Sequence, residues 1–269
     1  MVWLRSVDAS MDAAVVAAID DRLGGVAAEH GVRIPWAIES GSRAWGFPSP
    51  DSDYDCRFFY VRSAEDYLSP WRPRDVIETP LDAVFDVNGW DLIKAVRLAV
   101  RGNATVGEWL RSPLVYGGDK AFRDELLALV DAVTTRPRLR RHYLYLGRRQ
   151  RALAGLEGEQ VRLKRLFYAV RPAAALHWLD THPHGTPPMR LQELLAEIDV
   201  PPTLRATVAD LVAVKSVTRE LGQGTVPRGI ADYVAAHLDQ PVPVDVPLAP
   251  DAHARATDTF RSLVARFAP

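Results

Sequence analysis

"ESGSRAWGFPSPDSDYDCRFFYV", residues 39–61, is the stretch on which the reading of this chain turns. Asp51, Asp53 and Asp55 stand at alternate positions just ahead of an apolar run. Like charges this close repel, so a folded chain keeps them where water or a cation compensates. The stretch is therefore either a solvated turn or a metal site. Side chains two apart on a strand share a face. If "DYDCRFFYV" is a strand, Asp53 and Asp55 converge and Tyr54 faces the other side. Adjacent carboxylates suit Mg²⁺, or Mn²⁺, as hard ions that prefer oxygen ligands. Gly41 lacks a Cβ and lets the backbone approach a phosphate. The Ser42 hydroxyl can donate to its oxygens.

Two other motifs begin here and fail. An EF-hand calcium loop starting at Asp51 needs Gly at its sixth position and Glu at its twelfth, where the chain has Cys56 and Arg62. A P-loop starting at Gly41-x-x-x-x-Gly46 needs Lys and then Ser or Thr, where the chain has Phe47 and Pro48. A two-metal site needs a third carboxylate. "VFDVNGW" supplies Asp86, alone among apolar neighbours on a predicted strand; Asp82 competes for the role because the register is open. The bland reading of Asp86 is a strand-end Asx-turn toward Gly89.

The chain has 269 residues, enough for one large domain or two ordinary ones. A net charge of −1 carries no global signature of nucleic-acid binding, so such a contact needs a local patch. Cys56 is the single cysteine, so no disulfide within the chain is possible. The first ten residues lack the order of a signal peptide, and no apolar run is long enough for a membrane span. The expected location is cytoplasmic.

Apolar spacing predicts a helix from Met11 to about Glu29, ending near Gly31. Strands are expected at "VRIPWAIES", "DYDCRFFYV", "DVIET" and "LDAVFDVNGW", with a turn at Pro80. "SAEDYLSPWRP" reads as a helical turn and loop, Trp90–Arg101 as a helix, and "TVGEWLRS" as a short helix that Asn103 can cap. After Gly117-Gly118 helices follow one another, at about 119–133, 138–153, 159–180, 190–198, 203–220, 227–238 and 251–267. The expected fold is α+β: a small mixed β-sheet flanked by helices over residues 1–117, then an all-helical domain over 118–269.

Gly-Ser, a spacer, Asp-x-Asp on a strand and a later strand Asp together resemble the signature of the polymerase β-like nucleotidyltransferase superfamily. "GSRAWGFPSPDSDYDCR", "DVNGWDLIKAVRLAVRGNATVGEWLRSPLVY" and "LKRLFYAVRPAAALHWL" look like its RlaP, or YcgL-type, subgroup, over roughly residues 35–200. The resemblance implies transfer of a nucleoside monophosphate from an NTP to an acceptor hydroxyl, with pyrophosphate released. It places Gly41, Ser42, Asp53, Asp55 and Asp86 at the motif positions, with the three aspartates holding Mg²⁺ or Mn²⁺. It also brings an association with RNA repair, and so an RNA acceptor. A regulatory nucleotide-binding module without turnover, and an enzyme that modifies a protein or small molecule, are the rival readings. The motif describes the donor and not the acceptor.

Several basic residues have two readings. Arg43 either meets a phosphate or is a solvated loop residue. Arg57, on the Asp55 face, either neutralises the carboxylates or contacts the site. Lys164, Tyr168 and Arg171 fall at i, i+4 and i+7 on one helical face. There they form a cationic wall for a triphosphate or an ordinary solvated face, with Pro172 expected to disturb the helix and aim Arg171 outward. "RPRLRRHYLYLGRRQR", residues 136–151, is the local basic patch. It either tracks an RNA backbone or pairs within the fold.

Overall fold

The structure, a computed structural model, describes residues 2–80, 84–156, 158, 160–219, 222–244 and 246–269. Asp82 lies outside the described residues. In chain order the elements begin with β1 (Trp3–Ser6), α1 (Ala13–His30), β2 (Arg33–Glu39), α2 (Gly41–Ala44), β3 (Tyr54–Val61), α3 (Ala64–Leu68), β4 (Val76–Glu78) and β5 (Phe85–Asp91). Then come α4 (Leu92–Val100), α5 (Ala104–Leu110), β6 (Val115–Asp119), α6 (Lys120–Val133), α7 (Arg136–Ala154), β7 (Val161–Arg162) and α8 (Leu163–Thr181). The chain closes with α9 (Leu191–Glu197), α10 (Pro202–Val217), β8 (Gln223–Gly224), α11 (Arg228–Leu238) and α12 (Ala252–Phe267). No helix among the described residues is long and apolar enough to cross a membrane.

The chain divides into two compact units. The first holds residues 1–41, 53–134 and 247–269; the second holds 42–52 and 135–246. The expected boundary at 117/118 falls inside β6, and α6 and α12 belong to the first unit. Their apolar faces explain this. Phe122, Leu126, Leu129 and Val130 of α6, with Leu263 and Phe267 of α12, are buried in one core with Trp36, Phe59 and Leu92.

The first unit is built on a mixed sheet of order β1-β6-β2-β3-β5-β4, in which only the β3–β5 pair is parallel. Alternation along β3 sorts the two faces. Cys56, Phe58 and Tyr60 join Val16 and Ile19 of α1 on one side. Phe59 and Val61 join α4, α5, α6 and α12 on the other. The Asp12 side chain caps α1 by accepting from Ala14 and Val15, and Asn103 caps α5 by accepting from the Thr105 N–H at 2.9 Å, as its sequence position predicted.

Three local expectations change. Trp90 and Asp91 end β5, and α4 starts at Leu92 because the Asp91 carboxylate caps it. β1 is a short edge strand with no alternation to betray it. β6 was hidden by Gly117-Gly118, which reads as a turn. Both glycines serve close approach: a Cβ at Gly118 would stand 2.1 Å from the Trp36 ring and one at Gly117 2.8 Å from the Trp3 ring. Large indoles packed flat on a strand require the missing side chains.

The second unit is helical apart from the two-residue β7–β8 pair. Its basic run is absorbed by the fold. Arg148 donates to the carbonyls of Leu238 and Gln240 at 2.8 and 2.7 Å, and Arg141 to that of Pro243 at 2.9 Å. Arg140 pairs with Asp180 and donates to Gln240, and Arg151 pairs with Asp239 at 2.6 Å. These groups satisfy carbonyls left open where α11 ends and favour cations there. Arg148→Ser is therefore expected to cost about 1–3 kcal/mol of stability. Exposed Arg149→Ser is expected to change it by less than about 0.5 kcal/mol. Urea melts of the two variants beside wild type check this.

His177 of α8 and His237 of α11 stack at 4.6 Å, with Tyr233 4.6 Å from His237. Burial, then the neighbouring His177, pushes His237 down to about 4; Asp180 opposes and Arg140 adds to the shift. Burial also lowers His177, against Asp180 and Asp199. A lowered folded value means that the unfolded imidazole, near its ordinary 6.5, binds protons first. Stability is then intact at pH 7 and falls as the pH drops from about 6.5 toward about 4. Melting temperatures across that window are expected to fall less in His237→Phe than in wild type.

Candidate active site

The parallel register of β3 and β5 sets Asp55 directly beside Asp86. Both point to the α4 face of the sheet, as do Arg57 and Asn88, while Tyr54 turns to the opposite face and takes the Asp12 N–H at 3.1 Å. Arg57 sits across the two carboxylates. Its Nη2 is 3.1 Å from Asp55 Oδ1 and 2.6 Å from Asp86 Oδ2, and its Nη1 donates to the carbonyls of Cys56 and Asp86. Of its two sequence readings, neutralising the carboxylates is the one this geometry displays. Asn88 also donates to Asp86.

Asp53 is exposed and stands one residue before β3. Among the described residues, no three Asp, Glu, His or Cys side chains gather closely enough to hold an ion. The structure brings Asp55 and Asp86 together on neighbouring strands, and Asp53 stands just ahead of the first of them. The donor set remains one of carboxylate oxygens, the chemistry a hard divalent cation takes.

Gly41 packs against this pair. Its φ is +59°, and a Cβ there would fall 1.9 Å from Asp55 Oδ2. The turn after β2 is thus pressed onto the carboxylate, and only glycine allows it. Ser40 N–H donates to the Asp55 carbonyl at 2.8 Å. Glu39, fully buried, accepts the Asp55 N–H at 3.0 Å and the Tyr116 hydroxyl. Sequence reasoning passed over Glu39. A charged residue ending an apolar strand was the available signal.

The remaining candidates lie in the second unit. The Ser42 hydroxyl donates to Ser52 Oγ at 3.0 Å, and Arg43 donates to the Ser52 carbonyl at 2.7 Å. Lys164 meets Asp51 at 3.2 Å. Burial works against ionised Asp51, but hydrogen bonds from Ser49 and Lys164 prevail and its carboxyl is held below the usual range. Tyr168 meets the rings of Trp45 at 5.5 Å and Phe47 at 5.9 Å.

Arg171 departs from the expected outward aim. Helix α8 runs through Pro172 without a break, and Arg171 is 2% exposed. It donates to the Met189 carbonyl at 2.8 Å and lies over the Trp45 ring. The proline falls where the helix is wholly enclosed, so packing overrides its local cost. Lys164, Tyr168 and Arg171 therefore grip the 42–52 segment and its surroundings rather than line a bare cationic face. Lys215, unnoticed in the sequence, is buried beneath the same segment and donates to the Phe47 carbonyl.

Residues 15–264 match the family described as RlaP, the RNA repair pathway DNA polymerase beta family, and the chain belongs to it. That makes it a member of a polymerase β-like nucleotidyltransferase family. It is 40% identical over 204 residues to the uncharacterized protein YcgL of Bacillus subtilis (strain 168), covering 76% of this chain and 77% of that protein. A crystal structure of a nucleotidyltransferase-like protein from Exiguobacterium sibiricum 255-15 is similar at 10% identity and a TM-score of 0.29, covering 93% of this chain and 75% of that one. That likeness is too loose to bear on the chemistry.

Two carboxylates facing each other without a cation repel. Arg57→Met in EDTA is expected to lose about 1–3 kcal/mol, the cost of an uncompensated charge in a part-buried site. Added Mg²⁺ is expected to raise the melting temperature of the variant more than that of wild type. Thermal melts with and without the ion check this.

Proposed function

We propose that the protein is a divalent-metal-dependent nucleotidyltransferase that moves a nucleoside monophosphate from an NTP to a hydroxyl of RNA. The observation that carries this reading is the packing of Gly41, at positive φ, against Asp55 beside Asp86. A carboxylate pair pressed against a glycine turn, whose backbone a phosphate can approach, suits phosphoryl transfer better than a solvated hairpin. Membership of a family described by RNA repair supports RNA as the acceptor.

In this reading the acceptor oxygen forms a bond to the α-phosphorus, the bond from that phosphorus to the β-phosphate bridging oxygen breaks, and pyrophosphate leaves. Asp86 takes the hydroxyl proton. Gly41 lets the backbone approach the phosphates; Ser42, Arg43 and Lys164 of the second unit are further groups able to donate to phosphate oxygens. Asp53, Asp55 and Asp86 would hold Mg²⁺ or Mn²⁺, which neutralises phosphate charge when bound. Glu39 fixes the backbone of Asp55, so the carboxylate is positioned before substrate arrives.

The test is incubation with each labelled NTP, Mg²⁺ and RNA from a cell extract, followed by ribonuclease or protease digestion of the product. Ribonuclease-sensitive label is expected, with pyrophosphate released. Asp86→Ala is expected to lower the rate at least about 100-fold, the range for a lost general base, while NTP affinity changes little. Label sensitive only to protease would overturn the RNA acceptor, and full activity of Asp86→Ala would overturn its role.

A further inference from the structure

Lys215 of α10 is 1% exposed, yet it carries an ammonium group. That group donates to the Phe47 carbonyl, with the rings of Phe47 and Phe167 at 5.4 and 5.9 Å. Phe47 itself stacks on Phe167 at 5.2 Å. A carbonyl and two ring faces return only part of the hydration that a buried ammonium gives up. An aliphatic side chain would fill the same space at lower cost, so packing alone does not account for a lysine here.

The charged groups that act on Lys215 are Lys164 of α8, Asp51 of the 42–52 segment and Arg43 of α2. Two of the three are cations. Arg43 is spent on the Ser52 carbonyl and Lys164 on Asp51, both within the same segment. Three cations thus meet a short loop, residues 42–52, whose own sequence carries one carboxylate, Asp51. Such an excess is unfavourable in isolation and favourable once an anion joins it.

We propose that Lys215 is a positioning residue for polyphosphate binding by the 42–52 segment: it ties the segment down through the Phe47 carbonyl and supplies charge that a bound polyphosphate completes. The inference rests on the reading of Gly41–Ser42 and its neighbours as a phosphate cradle. Burial first, then Lys164, against Asp51 and with Arg43, brings Lys215 down to about 8. An anion nearby raises it again. Nucleotide binding at mildly alkaline pH must then draw a proton from solvent.

Calorimetry at pH 8.5 with Mg²⁺ and whichever of the four ribonucleoside triphosphates binds best, repeated in buffers of different ionisation enthalpy, measures that proton. The triphosphate is already fully ionised at this pH and contributes no uptake. Wild type is expected to take up about half a proton, as a group moved across the working pH must. Lys215→Met is expected to bind about tenfold more weakly, one charge interaction's worth, and with no uptake. Lys215→Arg, always charged, is expected to recover affinity but not uptake. Wild-type binding without uptake, or unchanged affinity and uptake in Lys215→Met, overturns the role of Lys215 alone. Absence of nucleotide binding by wild type overturns the cradle reading and this inference with it. If Lys215→Met does not fold, the wild-type uptake and Lys215→Arg decide.

Discussion

Asp55 and Asp86 stand side by side on parallel strands, and this juxtaposition constrains everything around it. Adjacent carboxylates need a cation, and the fold places the Arg57 guanidinium across them. The parallel register fixes which residues meet; a slip of one position along β5 would send Asp86 to the opposite face. Beside this pair, the Glu39 carboxylate holds the Asp55 N–H and the Tyr116 hydroxyl inside the sheet. Gly41 closes the arrangement, since any larger residue would collide with the Asp55 carboxylate. Sheet register, buried hydrogen bonds and turn conformation are thus coupled at one place.

The 42–52 segment is inserted in sequence between two strands of the sheet, yet it packs with the helical unit. Its aromatic residues explain that membership. Trp45 meets Tyr168 and Arg171, and Phe47 stacks on Phe167 with Lys215 against both rings. Aromatic packing fixes the loop, and polar groups at its ends, Ser42, Arg43, Asp51 and Ser52, bond to one another or to Lys164. A loop held this firmly presents its hydroxyls and N–H groups in a constant arrangement. The arginines of α7 serve stability in the same unit, binding the carbonyls that follow α11.

Much was legible in advance. The helix from Ala13 to His30, the strands around Trp36 and Phe58, and the run of helices after residue 119 follow from local periodicity and caps, which a sequence displays directly. The spacing of Gly41, Ser42, Asp53, Asp55 and Asp86 pointed to the superfamily, and the longer segments around it to the family. These features depend on residues near one another in the chain or on a motif of fixed spacing.

What the sequence could not display depends on partners far away along the chain. Gly117 and Gly118 looked like a turn because their reason for being glycine is the rings of Trp3 and Trp36. The arginine run kept two readings, an RNA backbone or partners within the fold, because its carbonyl partners lie about ninety to one hundred residues later. Arg171 looked outward because the enclosure of α8 is invisible to helical spacing. Lys215 carried no signal at all, since one lysine on a weakly amphipathic helix reads as surface. By itself the sequence determined most of the helices, the central strands, the motif and the family. Only the tertiary structure decided which charges are paired, which are buried and which glycines bear against a ring or a carboxylate, because those are properties of neighbours in space.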